Sequence, residues 1–179
     1  MHRLALAYGL PAGAVPILVI MAGTLLGDGD HSGGGSHLFG YLIMLVALSL
    51  VFLGVKSHRD GELGGVISFR TGVVVGLAIS AVAGLAYMFL WEIYLALTDY
   101  SFISDYTAGL VEAKRAAGAD EAEIAKLVAD MAVMEDRYAN PLFRLPMTFI
   151  EIFPVGLIVT IVSALLLRND RFLPARRGA

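Results

Sequence analysis

Four apolar runs divide the chain, approximately Leu4 to Leu26, Leu38 to Val55, Ile67 to Leu97 and Leu142 to Leu167. A bilayer core about 30 Å thick takes roughly 20 apolar residues at about 1.5 Å of helical rise each, so every run meets or approaches the length of a membrane-spanning helix. The second run is short and is expected to stand nearly upright. The third is long enough to tilt, or to begin as an interfacial turn at "VISFRTG". Between the third and fourth runs, over residues 99–140, the pattern becomes amphipathic. "DYSFISDYTAGLVEAKRAAG" predicts one helix ending near Gly118, and "ADEAEIAKLVADMAVMEDRYANP" predicts a second. Asp120 and Glu123 have the spacing of a capping box, and acids there favour the positive end of a helix. Ile124, Leu127, Val128, Met131 and Met134 recur three or four residues apart and form one apolar face, which Asn140 and Pro141 bring to an end. Such a face is most simply buried within the hairpin; the membrane surface and a partner protein are the other surfaces that would cover it. The expected fold is all-α. It is a single integral-membrane domain over 1–179, a four-helix transmembrane bundle with an extracytoplasmic helical hairpin between spans three and four.

Composition agrees with that class: 58% of the 179 residues are hydrophobic and 16% charged, and the mean hydropathy is +0.75. Cysteine is absent, which excludes a disulfide framework, a thiolate metal site and a cysteine nucleophile. A formal net charge of -3 gives no global basic character of the kind that binds nucleic acid.

The distribution of charge says more. Arg3 precedes span one, Lys56, Arg59 and Arg70 lie between spans two and three, and Arg168, Arg171, Arg176 and Arg177 follow span four. "GDGDHSGGGSH", after span one, has no Lys or Arg. Lys and Arg accumulate on the cytoplasmic side, so the expected orientation is N-in and C-in, in a bacterial inner membrane. The segment between spans three and four holds nine acids against Lys114, Arg115, Lys126 and Arg137, and is long enough to cross regardless of those cations. The first run is expected to remain as a span rather than be cleaved as a signal peptide. It is long, contains Pro11 and Pro16, and lacks an A-x-A site before the polar loop.

Only two acids, Glu92 and Glu151, fall within the runs. An ionisable group at membrane depth costs about 2.5 to 3.5 kcal/mol at a helix centre, so it usually faces the bundle and has a partner. Counted at about 1.5 Å per residue, Glu92 lies roughly 8 Å and Glu151 roughly 14 Å below the outer boundary. Arg144 stands two turns before Glu151, close to that boundary, which makes a ladder of Arg144, Glu92 and Glu151 plausible. Pro146 and Pro154 kink the same span. Pro154 has no N–H for the carbonyl of Ile150, leaving an acceptor beside Glu151. A protonated Glu151 would donate to such a carbonyl; an ionised one would help to hold a cation. Three readings stand for this cluster: interhelical polar glue, a proton or cation site, and a site for an unknown ligand.

Gly72, Gly76, Ser80 and Gly84 form a row at spacing four on span three, and Gly156, Thr160 and Ala164 a similar row on span four. Small rows permit close helix approach within the bundle, or between protomers of a homo-oligomer. The basic inner loop, Lys56, Arg59 and Arg70, sets orientation and can touch anionic lipid heads. Trp91, Tyr94 and Tyr100 suit an outer aromatic belt. His31 and His37, with Asp28 and Asp30, are weak metal candidates, because a glycine-rich turn supplies no fixed ligand geometry. The chain contains no H-E-x-x-H, Walker P-loop, G-x-S-x-G or dinucleotide fingerprint, so neither an enzyme nor a cofactor is expected.

"GYLIMLVALSLVFLGVKSHRDGELGGVISFRTGVVVGL", "FLWEIY", "YANPLF" and "MTFIEIFPVGLIVTIVSALLLR", in that order, resemble the bacterial membrane family catalogued as domain of unknown function 4199. The resemblance runs roughly from Phe39 to Arg168. It implies four membrane helices with an outer helical insertion, and it implies no activity. Arg59, Asp60, Glu92, Asn140, Pro141, Glu151, Pro154 and Gly156 lie in its recognisable blocks. The expected role is a small structural or accessory membrane protein, embedded in lipid, that meets a protein partner through its outer hairpin. The alternative is a proton- or cation-coupled carrier or channel using Glu92 and Glu151.

Overall fold

A computed structural model of the chain describes residues 1–26 and 37–175. Among these residues there are six helices and no strand: α1 (His2–Leu26), α2 (His37–Gly61), α3 (Phe69–Leu97), α4 (Phe102–Ala116), α5 (Glu121–Ala139) and α6 (Pro141–Leu167). Helices α1, α2, α3 and α6 are long and apolar enough to cross a membrane. Their outward positions are as apolar as their inward ones. Leu18, Val46, Val74, Leu85, Phe89, Ile150 and Ile158 are exposed, whereas Ser80, Thr160 and Ser163 are buried. Apolar outside and partly polar inside is the pattern of a bundle solvated by lipid, and the protein is a multi-pass membrane protein.

The helix ends follow from local chemistry. Ser68 is extended, and its side chain caps α3 by accepting from the Thr71 N–H at 3.1 Å. Gly118, at φ +82, turns the chain between α4 and α5. Asp120 accepts from the Glu123 N–H at 2.7 Å and starts α5. Asn140 closes α5 and caps α6, accepting from the Leu142 N–H at 3.0 Å, with Pro141 at the first helical position. Hairpin and fourth span therefore join without a loop.

One boundary differs from expectation. α2 does not end near Val55 but continues to Gly61, so Lys56 and Arg59 lie in its last turns rather than in a basic loop. Lys56 pairs with Asp60 one turn on, which lets the helix carry charge beyond its apolar run. Arg70 sits exposed in the first turn of α3.

α3 packs against both α1 and α6, and α2 packs against the same two helices. The α3–α6 contact is built on the small-residue rows. A Cβ added at Gly76 would lie 2.6 Å from Thr160 Cγ2, one at Gly72 3.0 Å from Ala164 Cβ, and one at Gly84 2.6 Å from the Phe149 ring. Gly156 meets Ser80, whose hydroxyl donates to the Gly156 carbonyl at 3.2 Å and lies 3.1 Å from the Thr160 hydroxyl. These contacts let two antiparallel backbones approach closely without a polar group left dry. α1 uses an equivalent device against α3, where a Cβ at Gly9 would meet Val82 at 2.7 Å.

Candidate functional site

The polar centre of the molecule lies where the hairpin meets the bundle. Arg144, in the second turn of α6, is only 3% exposed. Its Nε donates to Glu92 Oε1 and its Nη2 to Glu92 Oε2, both at 2.7 Å. Nη1 donates to the Tyr138 carbonyl at 2.8 Å. The guanidinium also lies over the rings of Tyr100 and Tyr138, with centroids 5.2 and 5.7 Å away. A planar fork that meets both oxygens of one carboxylate is a rigid, directional pair. It ties α3 to α6 while the Tyr138 carbonyl ties in α5.

The turn between α3 and α4 is shaped to reach this cation. Asp99 and Tyr100 both take positive φ, at 50° and 58°, an unfavourable conformation for side chains with a Cβ. The Tyr100 N–H donates to the Leu95 carbonyl at 2.8 Å, and the ring is delivered over Arg144. Beside it, Trp91 Nε1 donates to the Tyr138 hydroxyl at 2.6 Å. Trp91 also packs edge-on against Phe102 of α4, at 4.8 Å between centroids. Burial holds the Tyr138 phenol above the usual tyrosine range, so it remains a neutral partner in this network. Trp91 and Tyr100 were expected in an aromatic belt at this end; here they also fasten the hairpin.

The structure divides the expected trio of charges. Arg144 and Glu92 come together, but Glu151 is bonded to neither. It lies two turns further along α6, about 10 Å down the axis from Arg144, whose fork is already filled. Glu151 lies at the surface of the chain, and among the described residues its hydrogen bond comes from the hydroxyl of the buried Tyr87, at 3.4 Å. α6 passes continuously through Pro146 and Pro154, whose missing N–H groups release the carbonyls of Leu142 and Ile150 from the helical ladder.

A second buried cation stands at the opposite end. Arg59 is fully buried. Its Nη1 donates to the Phe172 carbonyl at 2.9 Å and to the Leu167 carbonyl at 3.5 Å, its Nη2 donates to the Leu173 carbonyl, and its Nε donates to Asp60 Oδ1 at 2.7 Å. These bonds reach the last carbonyl of α6 and two carbonyls of the turn that follows, folding that turn over the bundle, where Phe172 meets Phe52 edge-on at 6.4 Å. The sequence pattern places Arg59 in a basic inner loop that sets orientation. It is instead an internal clamp, because the lengthened α2 carries it beneath the C-terminal turn. No motif in the sequence marks this role, since its acceptors are main-chain oxygens.

His31 lies outside the described residues, as does the side chain of His37, the first residue of α2. Among the described residues no three His, Asp or Glu side chains gather closely enough to hold a metal ion. The model of one family, described as a protein of unknown function (DUF4199), matches residues 7–169. That match reaches back through most of α1, beyond the blocks that carry the resemblance in the sequence. No curated protein and no solved structure matches.

Proposed function

The chain belongs to the DUF4199 family, whose function is unknown, and from that premise we propose that it is a structural or accessory protein of the bacterial inner membrane that presents its α4–α5 hairpin to a protein partner. The observation that carries this reading is the way the hairpin is mounted. Arg144 to the Tyr138 carbonyl, Trp91–Tyr138 and Trp91–Phe102 hold its two ends to α3 and α6. Beyond that mounting, Val128 and Val133 are exposed apolar side chains on α5. A surface element held rigidly in place, with apolar side chains uncovered, is suited to recognition at low ordering cost. The bias of Arg3, Lys56, Arg70, Arg168 and Arg171 to the end opposite the hairpin supports an N-in, C-in orientation. The experiment is to replace Val128 and Val133 by Glu and cross-link the full chain in its native membrane. The cross-linked species should vanish while insertion and thermal unfolding stay unchanged. A wild-type chain that forms no such species defeats the proposal.

One observation favours a second reading, a proton- or cation-coupled carrier or channel. Glu151 is an exposed carboxylate within a membrane-spanning helix, and such acids mark ion or proton paths. On that reading Glu151→Gln abolishes a pH-dependent flux in proteoliposomes. Equal flux in mutant and wild type removes it.

A further inference from the structure

Two shallow hollows lie toward the hairpin end. One, of about 410 Å³, is lined by Asp136, Arg137, Asn140 and Phe143. The other, of about 450 Å³, is a wholly apolar groove between α3 and α6, lined by Leu85, Met88, Leu145, Pro146, Phe149 and Ile150. Phe143, Pro146 and Ile150 fall three, four and seven residues apart, so they share one face of α6, which puts the groove and the polar hollow on the same side of that helix. Both are shallow depressions open at the surface rather than enclosed cavities.

Their depths suit different chemistry. Arg137 is one turn before α6 begins, at the level where that span leaves the apolar layer, while the groove lies one to three turns inside it. Among the described residues neither Asp136 nor Arg137 has an ion-pair partner. The hollow thus offers a cation and an anion side by side, above a slot that only hydrocarbon fills without penalty.

We propose that this face binds a zwitterionic aminophospholipid, with its phosphate against Arg137, its ammonium against Asp136 and one acyl chain in the α3–α6 groove. A purely anionic head would set a second negative charge against Asp136. A choline head presents no N–H to that carboxylate. Selectivity therefore rests on the pairing of opposite charges rather than on net charge. The proposal requires only that the protein lies in a membrane and is independent of the accessory role.

The test is native mass spectrometry of the full chain released from micelles holding equal amounts of phosphatidylethanolamine, phosphatidylcholine and phosphatidylglycerol with identical acyl chains. Phosphatidylethanolamine should be retained preferentially. Arg137→Gln should lower that retention about fivefold, the worth of one cation near a lipid head. Asp136→Asn should abolish the preference over phosphatidylglycerol, and Ile150→Trp, which obstructs the groove, should reduce retention of all three. The two polar variants change exposed side chains, so their thermal unfolding should match the wild type. Equal retention of the three lipids, retention indifferent to Arg137→Gln and Asp136→Asn, or a second protein copy in place of lipid would each overturn the proposal.

Discussion

The two ends of the bundle each bury an arginine, and each neutralises it differently. At the hairpin end Arg144 meets a carboxylate, Glu92, carried by another spanning helix. At the terminal end Arg59 turns mainly to the carbonyls of Leu167, Phe172 and Leu173, with the adjacent Asp60 as its acid among the described residues. The first arrangement is an ion pair that joins two spans and anchors a hairpin. The second is a clamp on the turn after α6, in which a cation sits near the negative end of that helix and gathers main-chain carbonyls of the chain beyond it. The difference teaches what each end would lose. A stranded guanidinium is costly in a dry site, whereas carbonyls released near a membrane surface can turn to water.

That contrast orders the expected outcomes. Glu92→Leu should be the most damaging, because it leaves the Arg144 charge buried without an acid; a loss of about 3 to 5 kcal/mol is expected in unfolding measured in detergent. Adding Arg144→Met should restore much of it, since an apolar pair of similar volume often replaces a buried ion pair at little cost. If the double variant is no better than Glu92→Leu alone, the pair is more than a staple. Arg59→Ala comes next, at about 2 to 3 kcal/mol. Its signature is local: hydrogen exchange should quicken after Leu167 while the hairpin stays protected, and faster exchange in α5 would erase the distinction between the two ends. Trp91→Phe removes one hydrogen bond to Tyr138 but keeps most of the ring packing, for about 1 kcal/mol. Smallest is Glu151→Gln, within about 0.5 kcal/mol, because the side chain is exposed and an amide oxygen still accepts from Tyr87. A large loss there would make Glu151 part of the anchor, contrary to its separation from Arg144.

Much of this architecture was legible in residue order. The four spans, the hairpin and the Asp120 cap appear as runs, periods and spacings, and the family match over residues 7–169 agrees with the resemblance seen in "FLWEIY" and "MTFIEIFPVGL". The Glu92–Arg144 pair was within reach as well. Acids are so scarce in the spans that an arginine at the right depth has few possible partners. Glu151 was placed correctly in its helix but given the wrong neighbour. Depth along an axis can be counted from sequence, whereas the direction in which a side chain points around the bundle depends on which helices stand beside it.

Arg59 shows the limit most clearly. Its charge reads as part of a basic inner loop that sets orientation, and the structure seals it beneath the C-terminal turn. The sequence by itself determined the number of spans, the amphipathic insertion, the small-residue rows and the rarity of intramembrane charge, because these are set by local periodicity and by the thickness of a bilayer. Only the tertiary structure decided that Arg144 takes Glu92 and leaves Glu151 to Tyr87, that Arg59 closes over α6, and that Arg137 stands above an apolar groove. The physical reason lies in the partners. A carbonyl or a hollow belongs to no residue type, so it becomes specific only when helices distant in the chain are brought side by side.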